Sequence, residues 1–161
     1  MREVPNIFNP KNDSREIGCL GEEEFLVQCL RSGLKNITLS NGQYSNWDFI
    51  IEGKKVDVKT IINGQGPIEN YYVNVSSCQV SLDQDAFAFV FHDRIKNEFK
   101  VAGVIGRNTL LNTAFHRKKG EEERNGKFRY RCDTFVLKVK DLMPVESDRK
   151  STRLNSSHGK L

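Results

Sequence analysis

A chain of 161 residues supports one domain and is short for two separate cores. Apolar residues make up 37% and cluster into distinct segments, with no run as long as a membrane span and no apolar core of a signal peptide, which excludes wholesale disorder and a membrane-spanning helix. The formal charge of +4 falls to +1 (21 basic against 20 acidic residues) once 148–161 are set aside, so binding to nucleic acid has to come from local patches.

Pro5 and Pro10 punctuate a polar lead. Asp13, with Glu16 three residues on, reads as a capping box and predicts a helix to about Leu30, stopped before Gly33. Its apolar residues (Ile17, Leu20, Phe25, Leu26, Val27, Leu30) lie nearly all round, which predicts packing on more than one side. Short strands follow at Ile37–Leu39, Trp47–Ile51 and Lys55–Ile62, the last two joined by a turn at Glu52-Gly53-Lys54. Beyond a Gly-rich loop at 63–67 come a strand at Tyr71–Val75 and a short irregular or helical piece at Ser77–Leu82. Ala86–Phe91 (AFAFVF) is nearly unbroken in apolarity and predicts a central strand buried on both faces. Phe99–Ile105 is a further strand. Asn108–Phe115 predicts a second helix, with Leu110, Leu111 and Ala114 towards the core. A charged loop, RKKGEEERNGK, leads to strand-like segments around Phe128–Arg131 and Thr134–Val139. This order predicts an α/β (α+β) fold, a mixed sheet flanked by helices.

Cys19, Cys29, Cys78 and Cys132 form no C-x-x-C pair and are expected as buried, reduced thiols in a cytoplasmic protein. Asp148–His158 (DRKSTRLNSSH) looks like the translation of a sequencing-library adapter, so the domain is taken as 1–147 and 148–161 as a non-native tail.

The informative segment is NWDFIIEGKKVDVKT, residues 46–60. Asp57 and Lys59 are two apart on a strand and leave the same face, while Val56 and Val58 leave the other. With the turn at Gly53-Lys54, Lys59 lies opposite Asp48; with the turn one residue earlier, Asp57 does. Either register keeps Asp48, Asp57 and Lys59 together. Two crowded carboxylates repel unless a cation lies between them, and hard oxygen donors favour Mg²⁺ or Mn²⁺. Such an ion polarises a phosphoryl oxygen and activates water, and a nearby lysine stabilises developing charge.

Asp48, a short hairpin, then Asp57-Val58-Lys59 resembles the PD-(D/E)XK nuclease superfamily, in its restriction-endonuclease-like and Holliday-junction-resolvase-like members. Trp47 stands where the family's name has proline. Gly21-Glu22 and the apolar helical run to Leu30 look like the Gly-Glu helix that precedes the signature there. The resemblance implies a restriction-endonuclease-like core. It also implies Asp48, Asp57 and the Val58 carbonyl as metal ligands, Glu22 as a third acid, and Lys59 as the residue acting on the water. The activity implied is a Mg²⁺-dependent endonuclease, with Mn²⁺ as the alternative ion, hydrolysing phosphodiester bonds in DNA; a homodimer is left open.

Each residue also has a plainer reading. The Asp48/Asp57/Lys59 set alone could be a solvated hairpin with an ion pair worth at most about 1 kcal/mol. Lys54 and Lys55 at the hairpin tip are the expected nucleic-acid backbone contacts, with Arg117, Lys118 and Lys119 as a weaker second source. Gln79 either faces the site or serves simple capping or packing. His92 and His116, the latter ending a helix, are expected to be structural. The alternatives are an inactive nucleic-acid-binding module on the same fold and a structural or partner-binding domain.

Overall fold

The computed structural model describes residues 10–40, 45–63, 70–122 and 129–145, with side chains from 15 onward and omitting that of residue 63. The loop at 64–67, Phe128 and the tail at 148–161 lie outside the described residues. The chain is a mixed α/β fold. Helix α1 (Pro10–Arg31) is followed by β1 (Ile37–Leu39), β2 (Phe49–Ile51), β3 (Lys54–Asn63), β4 (Tyr72–Ser76), β5 (Ala86–Asp93), β6 (Glu98–Gly106), α2 (Arg107–Thr113), β7 (Phe115–Arg117) and β8 (Thr134–Lys138). One sheet has the order β1-β2-β3-β5-β6 and the other β4-β8-β7. Among the described residues only the β3–β5 pairing is parallel, from Val56↔Ala86 to Asn63↔Asp93.

Strand β5 organises the molecule, because its two faces differ in size. Ala86, Ala88 and Val90 join Phe25, Cys29, Val56 and Val58 under α1. Phe87, Phe89 and Phe91 fill the space against Val73, Val75 and Leu137 of the second sheet and Leu110 of α2. Small side chains let a helix approach, and large ones fill the gap between two sheets. All eight residues of β5 are buried, as the sequence predicts. Each phenylalanine contributes up to about 3 kcal/mol of burial.

Helix α1 begins at Pro10, three residues before the expected cap, so Asp13 lies inside its first turns. Proline is at home there, since the first helical amides have no partner to lose. The helix packs on one side: Ile17, Phe25 and Cys29 are buried with Gly21 between them, whereas Leu20, Val27 and Leu30 are 37%, 37% and 58% exposed. A four-residue spacing makes one stripe, and the sheet beneath covers only that stripe. The expectation of packing on more than one side is therefore corrected among the described residues. The thiol expectation holds in part. All four cysteines are free, but Cys19 and Cys78 are exposed and Cys132 is half-buried. Burial raises the Cys29 thiol to about 12.

Other boundaries move. Helix α2 ends at Thr113, so His116 lies in strand β7, which the charged sequence did not announce. The segment expected around Phe128–Arg131 supplies only an isolated bridge, Arg129 to Glu122. No helix among the described residues is long and apolar enough to cross a membrane.

Candidate active site

The β2–β3 turn is made by Glu52 and Gly53, both with positive φ (52° and 84°), the geometry of a tight two-residue hairpin. That is the earlier of the two registers considered: Phe49 faces Val56 and Ile51 faces Lys54. Strand β2 is brief, so the edge of β3 is left unpaired by β2 from Asp57 onward. Asp48 stands where the strands part. Its amide donates to the Val56 carbonyl at 2.8 Å, and its Oδ2 accepts from the Val58 amide at 2.8 Å. A carboxylate thus replaces a strand partner. In an extended strand the amide and carbonyl of one residue point the same way, so the Val58 carbonyl also faces this edge.

Asp57 and Lys59 share a face, as their spacing requires, and the Lys59 Nζ lies 2.9 Å from Asp57 Oδ2. Their side chains are 13% and 20% exposed, so this pair is far drier than a surface ion pair. Burial is the main cause that raises the Asp57 carboxyl from 3.8 to about 7. Lys59 pulls it down, while a hydrogen bond with Asp48 and the Asp48 charge push it up.

Helix α1 supplies the third acid. Among Glu22, Glu23 and Glu24, it is Glu22 that senses both Asp48 and Asp57; burial first, then those two charges, raise it from 4.5 to about 7. Glu23 is exposed, and Glu24 lines a separate groove with Gln28 and Phe99. Gly21 explains the approach. A Cβ there would stand 2.0 Å from Thr60 Oγ1, so only glycine lets the helix lie on β3 at this point.

Among the described residues no three His, Cys, Asp or Glu side chains form a ready metal cage. Mg²⁺ does not require one, since it is held by one or two carboxylates with several waters retained. Asp48, Asp57 and the Val58 carbonyl are hard oxygen donors, the donor chemistry that such a divalent cation takes.

Of the two lysines expected to touch nucleic acid, Lys55 alternates onto the face of Asp57 and Lys59, and Lys54 onto the opposite face. Asp85 fixes the Lys55 backbone: its Oδ2 accepts from the Lys55 amide at 2.8 Å and its own amide donates to the Lys55 carbonyl at 2.8 Å. The Gln79 side chain is exposed, and its carbonyl accepts from Gln84. The glutamine bonded to the site is Gln84, which the sequence pattern did not single out. It is 1% exposed, and its Nε2 donates towards Asp57 Oδ2 (3.3 Å), the Asn46 carbonyl (2.7 Å) and the Gln79 carbonyl (3.0 Å). Its Oε1 accepts from the Ser81 amide at 2.8 Å. Gln84 thereby ties the strand-entry segment at Asn46 to Asp57. The signal in the sequence is a lone amide two residues before the apolar run AFAFVF.

His92 and His116 both pack on aromatic rings. His92 is buried, bonded to Asn97 and packed on Phe99 with ring centroids 4.5 Å apart; His116 stacks on Phe135 at 5.0 Å.

No protein-family model matches this sequence, and no curated protein matches it. Among solved structures the chain is similar to a bacterial homing endonuclease, I-Ssp6803I, with a TM-score of 0.45 and 16% identity over 77% of this chain and 74% of that one. At that degree of likeness, the reading of the site rests on its own residues.

Proposed function

We propose that this protein is a metal-dependent nuclease, an endodeoxyribonuclease that hydrolyses phosphodiester bonds, of the kind the PD-(D/E)XK resemblance implies. The observation that supports the reading is the Asp57–Lys59 pair beside Asp48 where β2 and β3 part, with Glu22 on α1 near enough to both acids for their charges to raise its carboxyl. Asp48, Asp57 and the Val58 carbonyl would hold Mg²⁺ or Mn²⁺, with Glu22 completing the set. When bound, the ion supplies Lewis acidity towards a phosphoryl oxygen and neutralises the crowded acids.

The chain's own groups do the rest. The Val58 amide holds Asp48 in one orientation, and Gln84 and Lys59 hold Asp57. Near neutral pH, Asp57 and Glu22 are each partly protonated, and a bound cation would displace those protons. Lys59 offers an ammonium beside the reacting position. It can orient an attacking water and stabilise negative charge growing on the phosphate.

The test is incubation of supercoiled plasmid with the purified chain and Mg²⁺ or Mn²⁺. Nicked or linear product that EDTA abolishes is expected, with Asp57→Ala and Lys59→Ala folded but inactive. Undiminished, EDTA-sensitive cleavage by Lys59→Ala would overturn the role given to that lysine. Tight DNA binding without cleavage would favour the inactive binding module.

A further inference from the structure

We propose that the outer face of the β4-β8-β7 sheet holds a nucleic-acid strand beside the candidate active site; the nuclease reading enters only in the choice of ligand class. Val73, Val75 and Leu137 are turned into the core, so alternation turns Tyr72, Asn74 and Ser76 of β4, and Thr134, Val136 and Lys138 of β8, to the opposite face, where Thr134 and Val136 of the central strand are buried and Asn74 and Phe115 on the flanking strands are exposed. The pairings Phe115↔Val136 and Arg117↔Thr134 place Phe115 and Arg117 on the same outer face. None of these outward positions is acidic. Phe115 is 60% exposed, and the Lys138 Nζ lies 6.0 Å from the Tyr72 ring centre.

At one end of this face lies a groove of about 480 Å³, floored by Asn74, Ser76 and Thr134 and walled by 129–132. Arg129 is pinned as part of the wall by Glu122 (3.0 Å) and the Gly120 carbonyl (2.8 Å). Arg131 is exposed and makes no ion pair among the described residues. The Arg117–Glu121 pair is loose at 3.9 Å. Nearby acids are already engaged by backbone: Asp133 accepts from the Lys119 amide, and Glu121 from the Lys118 amide. An exposed guanidinium at Arg131, a loosely paired one at Arg117 and an exposed aromatic ring at Phe115 are groups that take phosphates and a base of a nucleic-acid strand.

The surface adjoins the acids through bonded neighbours. The Ser77 amide donates to the Asp133 carbonyl at 2.8 Å, tying this end of the sheet to the turn Ser77–Gln79. The Gln79 carbonyl in turn accepts from Gln84, which reaches Asp57.

The test is fluorescence anisotropy of a labelled single-stranded oligonucleotide with the full chain in EDTA, where binding is read without cleavage. The double variant Arg117→Ala/Arg131→Ala is expected to bind more weakly and to lower the slope of log affinity against log salt by about 1.4. Phe115→Ala is expected to weaken binding about tenfold. Lys96→Ala, in the β5–β6 turn at the far end of β5, serves as the control and should bind as the native chain does. Unchanged binding by the double variant, an equal loss in Lys96→Ala, or equally effective competition by polyglutamate would overturn the proposal. Binding through this face without cleavage in Mg²⁺ would instead overturn the nuclease reading, so the two failures are separable.

Discussion

Gly21 lies against Thr60 so closely that a Cβ would meet Thr60 Oγ1 at 2.0 Å and its Cβ at 3.1 Å. This contact sets the height of α1 over β3, and the next residue, Glu22, is the one that reaches the acids of the hairpin. A packing requirement and a site requirement therefore sit side by side in the sequence. By contrast, nothing lies within 4 Å of a Cβ added at Gly18, one turn earlier.

Gly21→Ala is accordingly expected to destabilise the fold by about 2 kcal/mol through overpacking. Gly18→Ala should be neutral or stabilising by up to about 1 kcal/mol from helix propensity. Thr60→Ala should recover part of the Gly21→Ala loss in a double-mutant cycle followed by chemical denaturation. Simple additivity of the two substitutions would contradict the contact.

The raised carboxyls predict how stability follows pH. Between about 4 and about 7 the folded chain retains protons on Asp57 and Glu22 that the unfolded chain has released. These two groups therefore lower stability as pH rises through that window and change nothing further above it. In EDTA, the melting temperature should carry this downward contribution. Added Mg²⁺ or Mn²⁺ should raise it more at about pH 8 than at about pH 5. A metal effect of equal size at both values would speak against cation binding at these acids.

Glu22→Gln isolates one of them. It removes a charge that burial, Asp48 and Asp57 all disfavour, so the EDTA-treated variant should melt higher than the native chain above pH about 7 and nearly the same at pH about 4. Plasmid cleavage should fall in the same protein. Full activity with a raised melting temperature would leave Glu22 outside the site.

Gln84→Leu tests the link between Asp57 and the segment before Asp48. The apolar replacement strands the Asn46 and Gln79 carbonyls and should cost about 1–3 kcal/mol. Because Asp57 loses an orienting donor, kcat should fall more than KM rises at a temperature where the variant is fully folded. A change in stability alone would make Gln84 purely structural.

Local pattern carried much of this fold. The nearly unbroken apolarity of AFAFVF predicts a strand buried on both faces, and the two-residue step from Asp57 to Lys59 puts both on one face whatever the register. Both follow from backbone geometry that neighbouring residues alone dictate. The resemblance to a nuclease signature likewise needs only Asp48, Asp57-Val58-Lys59 and Gly21-Glu22.

Tertiary structure decided what local pattern left open. It chose the earlier hairpin register, selected Glu22 among three consecutive glutamates, and moved Asp48 from the strand ladder to a bond with the Val58 amide. It also exposed half of the apolar residues of α1 and brought in Gln84, 27 positions from Asp57. The physical reason is common to all of these. Periodicity states which side of an element a residue takes, but burial, crowding of charge and hydrogen bonds between distant segments exist only once the elements are packed.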